Sequence, residues 1–257
     1  MVEEQEGRSF SFYHAELVDR DPGEIILLDE EESRHLRSLR LEAGEAVILT
    51  DGRGRMVNAS LEGSRGRRRE VRIRESRRAP DALDMELAVA VGNRTRMLWL
   101  IEKATEFGVT VVSLLETERS RSVSDAGRSD GFRAKAERRA LAAMKQSGGA
   151  RVPEIRAPVD LSRYLAGVAA REIGTGVLLV PGGAPLAERL ATARDPIIVL
   201  VGPEGGLTGS EIRGCDEAGF LASGLGPTVL RFETAALAAV AVVAQRAASR
   251  NEEGKDR

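Results

Sequence analysis

The sequence has few of the residues that most often build metal centres and nucleophilic triads. Its 257 residues include one cysteine, Cys215, and two histidines, His14 and His35. A single cysteine excludes an intramolecular disulfide framework and a cysteine-rich zinc site. Two histidines exclude multi-histidine metal centres and argue against a histidine triad. We therefore expect a reducing compartment, no metal, and chemistry performed by other side chains.

Long apolar runs and an N-terminal targeting segment are missing as well. No segment approaches the ~18 apolar residues of a membrane-spanning helix. The acidic start MVEEQEGRSF resembles neither a signal peptide nor an arginine-rich transit peptide. Apolar residues make up 42% of the chain, which is enough for a core in one large domain or two ordinary ones. The sequence predicts a cytoplasmic, soluble protein with no membrane partner.

The charges nearly cancel in total, with a net charge of −2, but they are unevenly distributed. Eight arginines and two glutamates lie between Arg65 and Arg78, and nine basic and three acidic residues lie between Arg119 and Arg151, so each stretch has a charge of +6. Such stretches favour a polyanion such as nucleic acid, although a solvated arginine-rich surface has the same composition. The candidate residues for contact with such a polyanion are Arg8, Arg65, Arg67, Arg68, Arg69, Arg72, Arg119 and Arg121.

Hydropathy patterns divide the chain at Ala79-Pro80-Asp81. Residues 1–80 predict a small β-rich domain, with one short helix that begins after Asp29. Residues 81–257 alternate strands and helices, and their continuous apolar strands are typical of a parallel sheet in an α/β domain. The predicted strands are 24–28, 46–49, 56–61, 70–74, 85–91, 109–115, 176–180 and 196–201, and the longer predicted helices are 94–107, 130–146 and 233–248.

Glycine-rich loops follow the late strands, where open α/β sheets bind their ligands. The loop Val201–Leu207 reads VGPEGGL, and the next four residues, Thr208–Glu211, form a predicted helix capping box. A second loop, Gly224–Pro227, precedes an alanine- and valine-rich helix whose apolar sides predict burial or a subunit contact. Neither loop is a dinucleotide or P-loop fingerprint. A tight structural turn is therefore the default interpretation of the GPEGG loop taken alone.

Several motifs occur together in one order along the chain. They are HLRSLRL at 35–41 with DGRG at 51–54, KATEFGV at 103–109, ERS at 118–120, QSG at 146–148 with VPEI at 152–155, GPEGG at 202–206, and LGPTVLRFETA at 225–235. In these motifs the sequence resembles the RsmE family. Members of that family are SPOUT-class methyltransferases that use S-adenosylmethionine to modify N3 of a uridine, U1498 in the usual numbering, in 16S ribosomal RNA.

The resemblance implies a fold, a cofactor and partners. It implies a PUA-like β-barrel domain at 1–80 and a SPOUT domain at 81–257 with a parallel sheet and a deep trefoil knot. It further implies a homodimer that acts on 16S rRNA of the small ribosomal subunit and releases S-adenosylhomocysteine. The implied cofactor pocket comprises Leu179, Val180, Pro181, Gly182, Val201, Gly202, Pro203, Glu204, Gly205, Gly206, Leu225, Gly226, Pro227, Leu230 and Arg231.

The catalytic hypothesis follows from the chemistry of the uracil imide. A guanidinium would stabilise the anion that develops on a carbonyl oxygen beside N3, and a carboxylate would position or accept the proton. We assign the first role to Arg231 and the second to Glu204 or Glu233. An ion pair for Arg231 and a helix N-terminal charge for Glu233 are the structural alternatives.

The sequence departs from the family at three positions. Phe232 stands where the family usually has threonine, Lys145 where glutamate is frequent, and Gly149 where arginine is usual. Two other functions stay open on sequence alone: a non-catalytic RNA-binding or ribosome-assembly factor, and a SPOUT methyltransferase that acts on transfer RNA or on a ribose hydroxyl.

Overall fold

The computed structural model describes residues 10–17, 20–79, 83–120, 130–170 and 174–253. The chain divides into two compact units, one formed by Met1–Asp81 with Leu141–Val152 and the other by Ala82–Ala140 with Pro153–Arg257. Arg8 and Arg121 lie outside the described residues. Within those residues, no helix is both long and apolar enough to cross a membrane.

The first unit is built on a five-stranded mixed sheet. Its strands are β1 (Ser11–Tyr13), β2 (Ile25–Leu27), β3 (Ala46–Thr50), β4 (Met56–Arg65) and β5 (Arg68–Arg77), in the order β1-β3-β4-β5-β2. β1 runs parallel to β3, and the other neighbours are antiparallel. The apolar faces close over a core that includes Phe12, Leu28 and Leu36. Sequence patterns predicted every strand of this sheet except β1, whose three residues are too few to show alternation.

The helix α1 (Glu30–Ser38) begins as its sequence predicts, because the Asp29 carboxylate accepts a hydrogen bond from the Glu32 amide at 2.8 Å. The Glu32 side chain itself is buried and accepts a hydrogen bond from Lys145 Nζ. Lys145, one of the departures from the family pattern, therefore has a structural role, since it neutralises a buried carboxylate of the same unit.

The second unit contains a six-stranded sheet in which all strands are parallel. Its strands are β6 (Leu83–Ala90), β7 (Val109–Glu116), β8 (Glu154–Asp160), β9 (Thr175–Pro185), β10 (Ile197–Val201) and β11 (Leu221–Gly224), in the order β11-β9-β10-β6-β7-β8. Its helices are α2 (Arg94–Glu106), α3 (Asp130–Ser147, whose last turns belong to the first unit), α4 (Leu161–Ala169), α5 (Leu186–Ala191), α6 (Gly209–Glu217) and α7 (Phe232–Glu253). The prediction of an α/β domain with a parallel sheet is confirmed.

Both faces of this sheet are covered by helices, which explains its continuous apolar strands. The helices α4 and α6 pack on one face around Leu200, Ile198 and Cys215. On the other face, α7 packs against β6 and β10, and α2 packs against β7 and α7. The prediction that α7 is buried holds for one side only. Ala236, Ala239, Val240 and Val243 are buried, but the opposite side of α7, which includes Ala241, lines a groove shared with α5.

Cys215 provides a simple test of the packing of α6. The side chain is fully buried, and burial, aided by the nearby Glu211 charge, raises the pKa of the thiol to about 11. Because the thiolate is the reactive form, we expect no reaction of the folded protein with Ellman's reagent near neutral pH, and complete reaction after denaturation. Rapid labelling of the folded protein would contradict this packing.

Candidate active site

The loops that follow β6, β9, β10 and β11 leave the same edge of the parallel sheet. In the sheet, β10 lies between β9 and β6. From β6 the chain continues to β7 on one side of this pair, whereas from β10 it continues to β11 on the other side, so the β6–β10 pair is a switch point. Such switch points leave a crevice outside the carboxyl ends of the strands, because adjacent loops turn to opposite sides. The glycine-rich loop at 202–206 begins directly after β10, at this crevice.

A cavity of about 600 Å³ occupies this position, within the range of small-molecule and cofactor sites. Of the residues predicted to form the pocket, the cavity is lined by Leu179, Val180, Pro181, Val201, Gly202, Pro203, Glu204, Gly206, Leu225, Gly226, Leu230 and Arg231. The predicted residues Gly182, Gly205 and Pro227 do not line it. Thr228 and Val229, within the predicted segment 225–231, also line it, and residues that the sequence did not indicate complete the lining: Leu207, Ile212, Ser223, Phe232 and Ala235.

Two glycines allow the backbone segments around the cavity to approach closely. A Cβ atom on Gly183 would lie 2.6 Å from the Ser223 carbonyl carbon, and one on Gly202 would lie 3.1 Å from Leu207 Cγ. At Gly183 the obstacle is backbone, which cannot rotate away as a side chain does. Glycine there lets β11 pair with the end of β9 and brings Ser223 to the cavity wall.

Hydrogen bonds hold the 202–206 loop in place, both from the capping box that follows it and from residues 118–119. The predicted capping box is present: the Glu211 amide donates to Thr208 Oγ1, and the Thr208 amide donates to the Glu211 carboxylate. The same carboxylate accepts a hydrogen bond from the Glu118 amide at 2.8 Å, and Arg119 Nη1 donates to the Gly205 carbonyl at 3.0 Å. Arg119, which was predicted to contact RNA, thus contacts the 202–206 loop, which was predicted to bind the cofactor.

Arg231 and Phe232 lie at the start of α7. Arg231 is exposed, lines the cavity, and makes no side-chain hydrogen bond or ion pair with any described residue. The described part of the chain therefore contains no ion pair that would explain Arg231 as a purely structural residue. Phe232 is buried, and its ring lies against Gly92, where a Cβ atom would be 3.3 Å from two ring carbons. The aromatic ring that replaces the family threonine fills space beside a glycine backbone.

The two candidate carboxylates share one partner that the sequence analysis did not single out. Arg96 Nη1 lies 3.4 Å from Glu204 Oε1, and Arg96 Nε lies 3.5 Å from Glu233 Oε1. Glu204 lines the cavity with 44% of its side chain exposed, whereas the Glu233 side chain is 10% exposed and does not line it. Arg96 could have been recognised as a site residue from its position in the first turn of the helix after β6, at the switch point of the sheet.

The arginines of the first unit have different local roles. Arg68 donates to the Leu27 and Leu28 carbonyls at 2.9 and 2.7 Å, so its guanidinium joins two strands. Other predicted RNA-binding arginines also bond within the unit: Arg65 pairs with Glu70, Arg69 donates to Ser64 and to the Leu41 carbonyl, and Arg72 pairs with Glu62. The Arg67 side chain is exposed and bonds to none of the described residues.

A doubly covered parallel sheet, with glycine-rich loops around a mostly apolar cavity at its switch point, defines an α/β domain that binds a small molecule. Comparison with protein-family models gives a match to an RNA methyltransferase domain over residues 79–244 and to an RNA methyltransferase PUA domain over residues 28–70.

Relatives extend these matches over most of the chain. "Ribosomal RNA small subunit methyltransferase E" of Mycobacterium bovis is 30% identical over 231 residues, which cover 87% of each chain. A crystal structure of the same-named protein from Neisseria gonorrhoeae, bound to S-adenosylmethionine, has a TM-score of 0.81 at 28% identity and covers 93% of this chain and 98% of its own. A methyltransferase from Legionella pneumophila in complex with this cofactor has a TM-score of 0.78, also at 28% identity and with 93% and 98% coverage. The chain belongs to the RsmE family of ribosomal RNA methyltransferases.

Proposed function

We propose that this protein transfers a methyl group from S-adenosylmethionine to N3 of a uridine in 16S ribosomal RNA of the small subunit. The observation that supports this most directly is the cavity beside the 202–206 loop, where Glu204 and the exposed Arg231 meet an apolar pocket. A pure RNA-binding factor has no need for such a pocket. Family membership supports the RNA substrate, and the small-subunit substrate in turn supports a cytoplasmic location.

The cavity fits the proposed cofactor in size and chemistry. Leu179, Val201, Leu225 and Leu230 provide apolar walls for the adenine ring, and the neighbouring glycine backbone offers hydrogen-bonding groups at its edge. Gly226 has a φ of 147°, in the range that favours glycine, so its loop reaches the cavity in a conformation that other residues rarely adopt. When bound, S-adenosylmethionine supplies an activated methyl carbon for attack by N3.

The residues of the chain then have three tasks. The pocket aligns the uracil ring, the Arg231 guanidinium stabilises negative charge on a uracil carbonyl oxygen, and a carboxylate accepts the N3 proton. Between the two candidate carboxylates, the exposed one is Glu204, which lines the cavity. We therefore assign the proton to Glu204 and regard Glu233 as a supporting charge.

We further propose that residues 1–80 form the PUA-like RNA-binding domain, that residues 81–257 form the methyltransferase domain with a trefoil knot, and that two chains form a homodimer. The matched PUA region at 28–70 supports the first assignment. The dimer is supported by the groove between α5 and α7, about 790 Å³ in volume and largely apolar, because an exposed apolar groove favours a protein contact. Sedimentation analysis should give the mass of two chains.

Neighbouring arginines permit a sharp test of the RNA contacts. We expect Arg67→Ala to weaken RNA binding and to lower the slope of log affinity against log salt by about one, because one phosphate contact is lost. Thermal unfolding should be unchanged. Arg68→Ala should instead lower the unfolding free energy by about 1–3 kcal/mol, because two carbonyl groups lose a charged donor. Equal effects of both substitutions on stability would contradict this division.

The function itself is tested with small ribosomal subunits, free 16S rRNA and transfer RNA, each incubated with methyl-labelled cofactor. We expect label on one uridine of 16S rRNA, at N3 by mass spectrometry of the nucleosides. Label on transfer RNA or on a ribose hydroxyl would replace this function with that of a related methyltransferase. A folded sample that does not bind the cofactor in calorimetry would favour the RNA-binding factor.

A further inference from the structure

Arg96 is placed at the cavity by the local structure that starts α2. The Asn93 side chain caps the helix by accepting hydrogen bonds from the Thr95 and Arg96 amides. Gly92, between β6 and this cap, has no side chain to separate the start of α2 from Phe232 and Glu204. The first turn of α2 therefore lies beside both the loop after β10 and the start of α7.

The Arg96 guanidinium contacts two carboxylates that belong to different segments. Its Nη1 atom is 3.4 Å from Glu204 Oε1, and its Nε atom is 3.5 Å from Glu233 Oε1. The planar guanidinium can direct separate N–H groups to two acceptors, which the ammonium of lysine does less rigidly. One cation thus connects the start of α2, the loop after β10 and the start of α7 at the switch point of the sheet.

The two carboxylates differ in what they can reach. Glu204 is exposed at the cavity, whereas Glu233 is buried, and its Oε2 atom has no hydrogen-bond partner among the described residues. A buried carboxylate needs a counter-charge, so Glu233 holds the guanidinium in place. The guanidinium in turn holds Glu204 and offsets the repulsion between the two negative charges.

We propose that Arg96 is a positioning residue for methyl transfer, and that it holds the Glu204 carboxylate in the orientation that accepts the N3 proton. This inference rests on the function proposed above. In the step, the N3–H bond breaks and the proton passes to Glu204. The electron pair left on N3 forms the bond to the methyl carbon, and the pair of the broken carbon–sulfur bond stays on sulfur.

If the Arg96–Glu204 ion pair had only a structural role, replacing Arg96 would have a different effect. A partly exposed ion pair contributes little to stability, and its loss would leave the rate constant unchanged. A misplaced general base, by comparison, can lower a rate by about 10²-fold. The two roles are therefore distinguished by kcat, measured together with KM and thermal unfolding.

The experiment compares Arg96→Ala, Arg96→Lys, Glu204→Gln and the double variant with the unsubstituted protein. We expect Arg96→Ala to lower kcat by about 10- to 100-fold, with the KM for 16S rRNA and the calorimetric Kd for S-adenosylmethionine within about threefold. Arg96→Lys should recover part of kcat, because lysine keeps the charge but not the planar geometry. Arg163→Ala is the matched control, since Arg163 is an exposed arginine in the first turn of α4 whose side chain bonds to none of the described residues.

The double variant tests whether Arg96 acts through Glu204. We expect Arg96→Ala to have little further effect on kcat once Glu204 is glutamine, because the group it positions is gone. Independent, multiplying effects would overturn the proposal, as would an unchanged kcat in Arg96→Ala or in Glu204→Gln. If the unsubstituted protein binds cofactor but methylates no RNA, the proposed function fails and this inference fails with it, an outcome that differs from all the others.

Discussion

Arg231→Ala is expected to lower methyl transfer to 16S rRNA by about 10²- to 10³-fold, the loss typical when a donor to a developing oxyanion is removed. Arg231 is exposed and lines the cavity, and its side chain bonds to none of the described residues, so its charge is available to a substrate. The lining of the cavity consists mostly of apolar side chains and glycine backbone, so the cofactor does not depend mainly on Arg231 for binding. Calorimetry should therefore give a cofactor Kd within a few-fold of the unsubstituted value.

Two further variants separate the charge of Arg231 from its geometry. Arg231→Lys should keep part of the activity, because a cation stays near the substrate but without the planar pair of donors. Arg163→Ala should have the activity of the unsubstituted protein. Unchanged turnover in Arg231→Ala would eliminate the proposed role, and a large loss of cofactor affinity would assign Arg231 to cofactor binding instead.

Gly183→Ala is expected to damage the cavity from a position that does not line it. The new Cβ atom would lie 2.6 Å from the Ser223 carbonyl carbon and 2.9 Å from the Gly224 nitrogen, so β9 and β11 must separate. Strain of this kind costs about 1–3 kcal/mol of stability. Because Ser223 and Leu225 line the cavity, cofactor affinity should fall by at least about 10-fold if even ~1.4 kcal/mol of the distortion reaches them.

Gly167→Ala makes the same chemical change at a position with space. Gly167 lies within α4, and nothing lies within 4 Å of the position of its Cβ atom. Alanine should raise the unfolding free energy by about 0.5–1 kcal/mol, because glycine is the poorer helix former. Cofactor affinity should be unchanged. If Gly183→Ala behaved like Gly167→Ala, the close approach of β9 and β11 would not be important for the cavity.

Local sequence patterns predicted those parts of the structure that depend on neighbouring residues. The α1 cap at Asp29 and the capping box at Thr208 involve residues three positions apart, and both are present. The strand β10 was predicted from an unbroken apolar run, because burial on both faces leaves no polar position. By contrast, β11 was missed, since three of its four residues, LASG, are small and show no strand pattern, and it forms only by pairing with β9.

Local patterns could not predict contacts between residues that are far apart in the sequence. Arg67 and Arg68 are the same residue type at adjacent positions. Yet the Arg67 side chain is exposed and bonds to none of the described residues, whereas the Arg68 guanidinium joins two strands through backbone carbonyls. A guanidinium binds whichever acceptor the fold brings near, so the count of arginines predicted a polyanion partner but not the residues that are free to contact it.

By itself, the sequence determined the α/β class of the second unit and the glycine-rich loops, because periodicity and capping are properties of short segments. It also determined the family, because the motifs and their order can be read directly along the chain. Only the tertiary structure decided that the strand order brings these loops around one cavity and that Arg96 meets Glu204, 108 residues away along the chain. The physical reason is that a parallel sheet gathers the ends of distant strands at one edge, and the charges that meet there follow from strand order rather than sequence proximity.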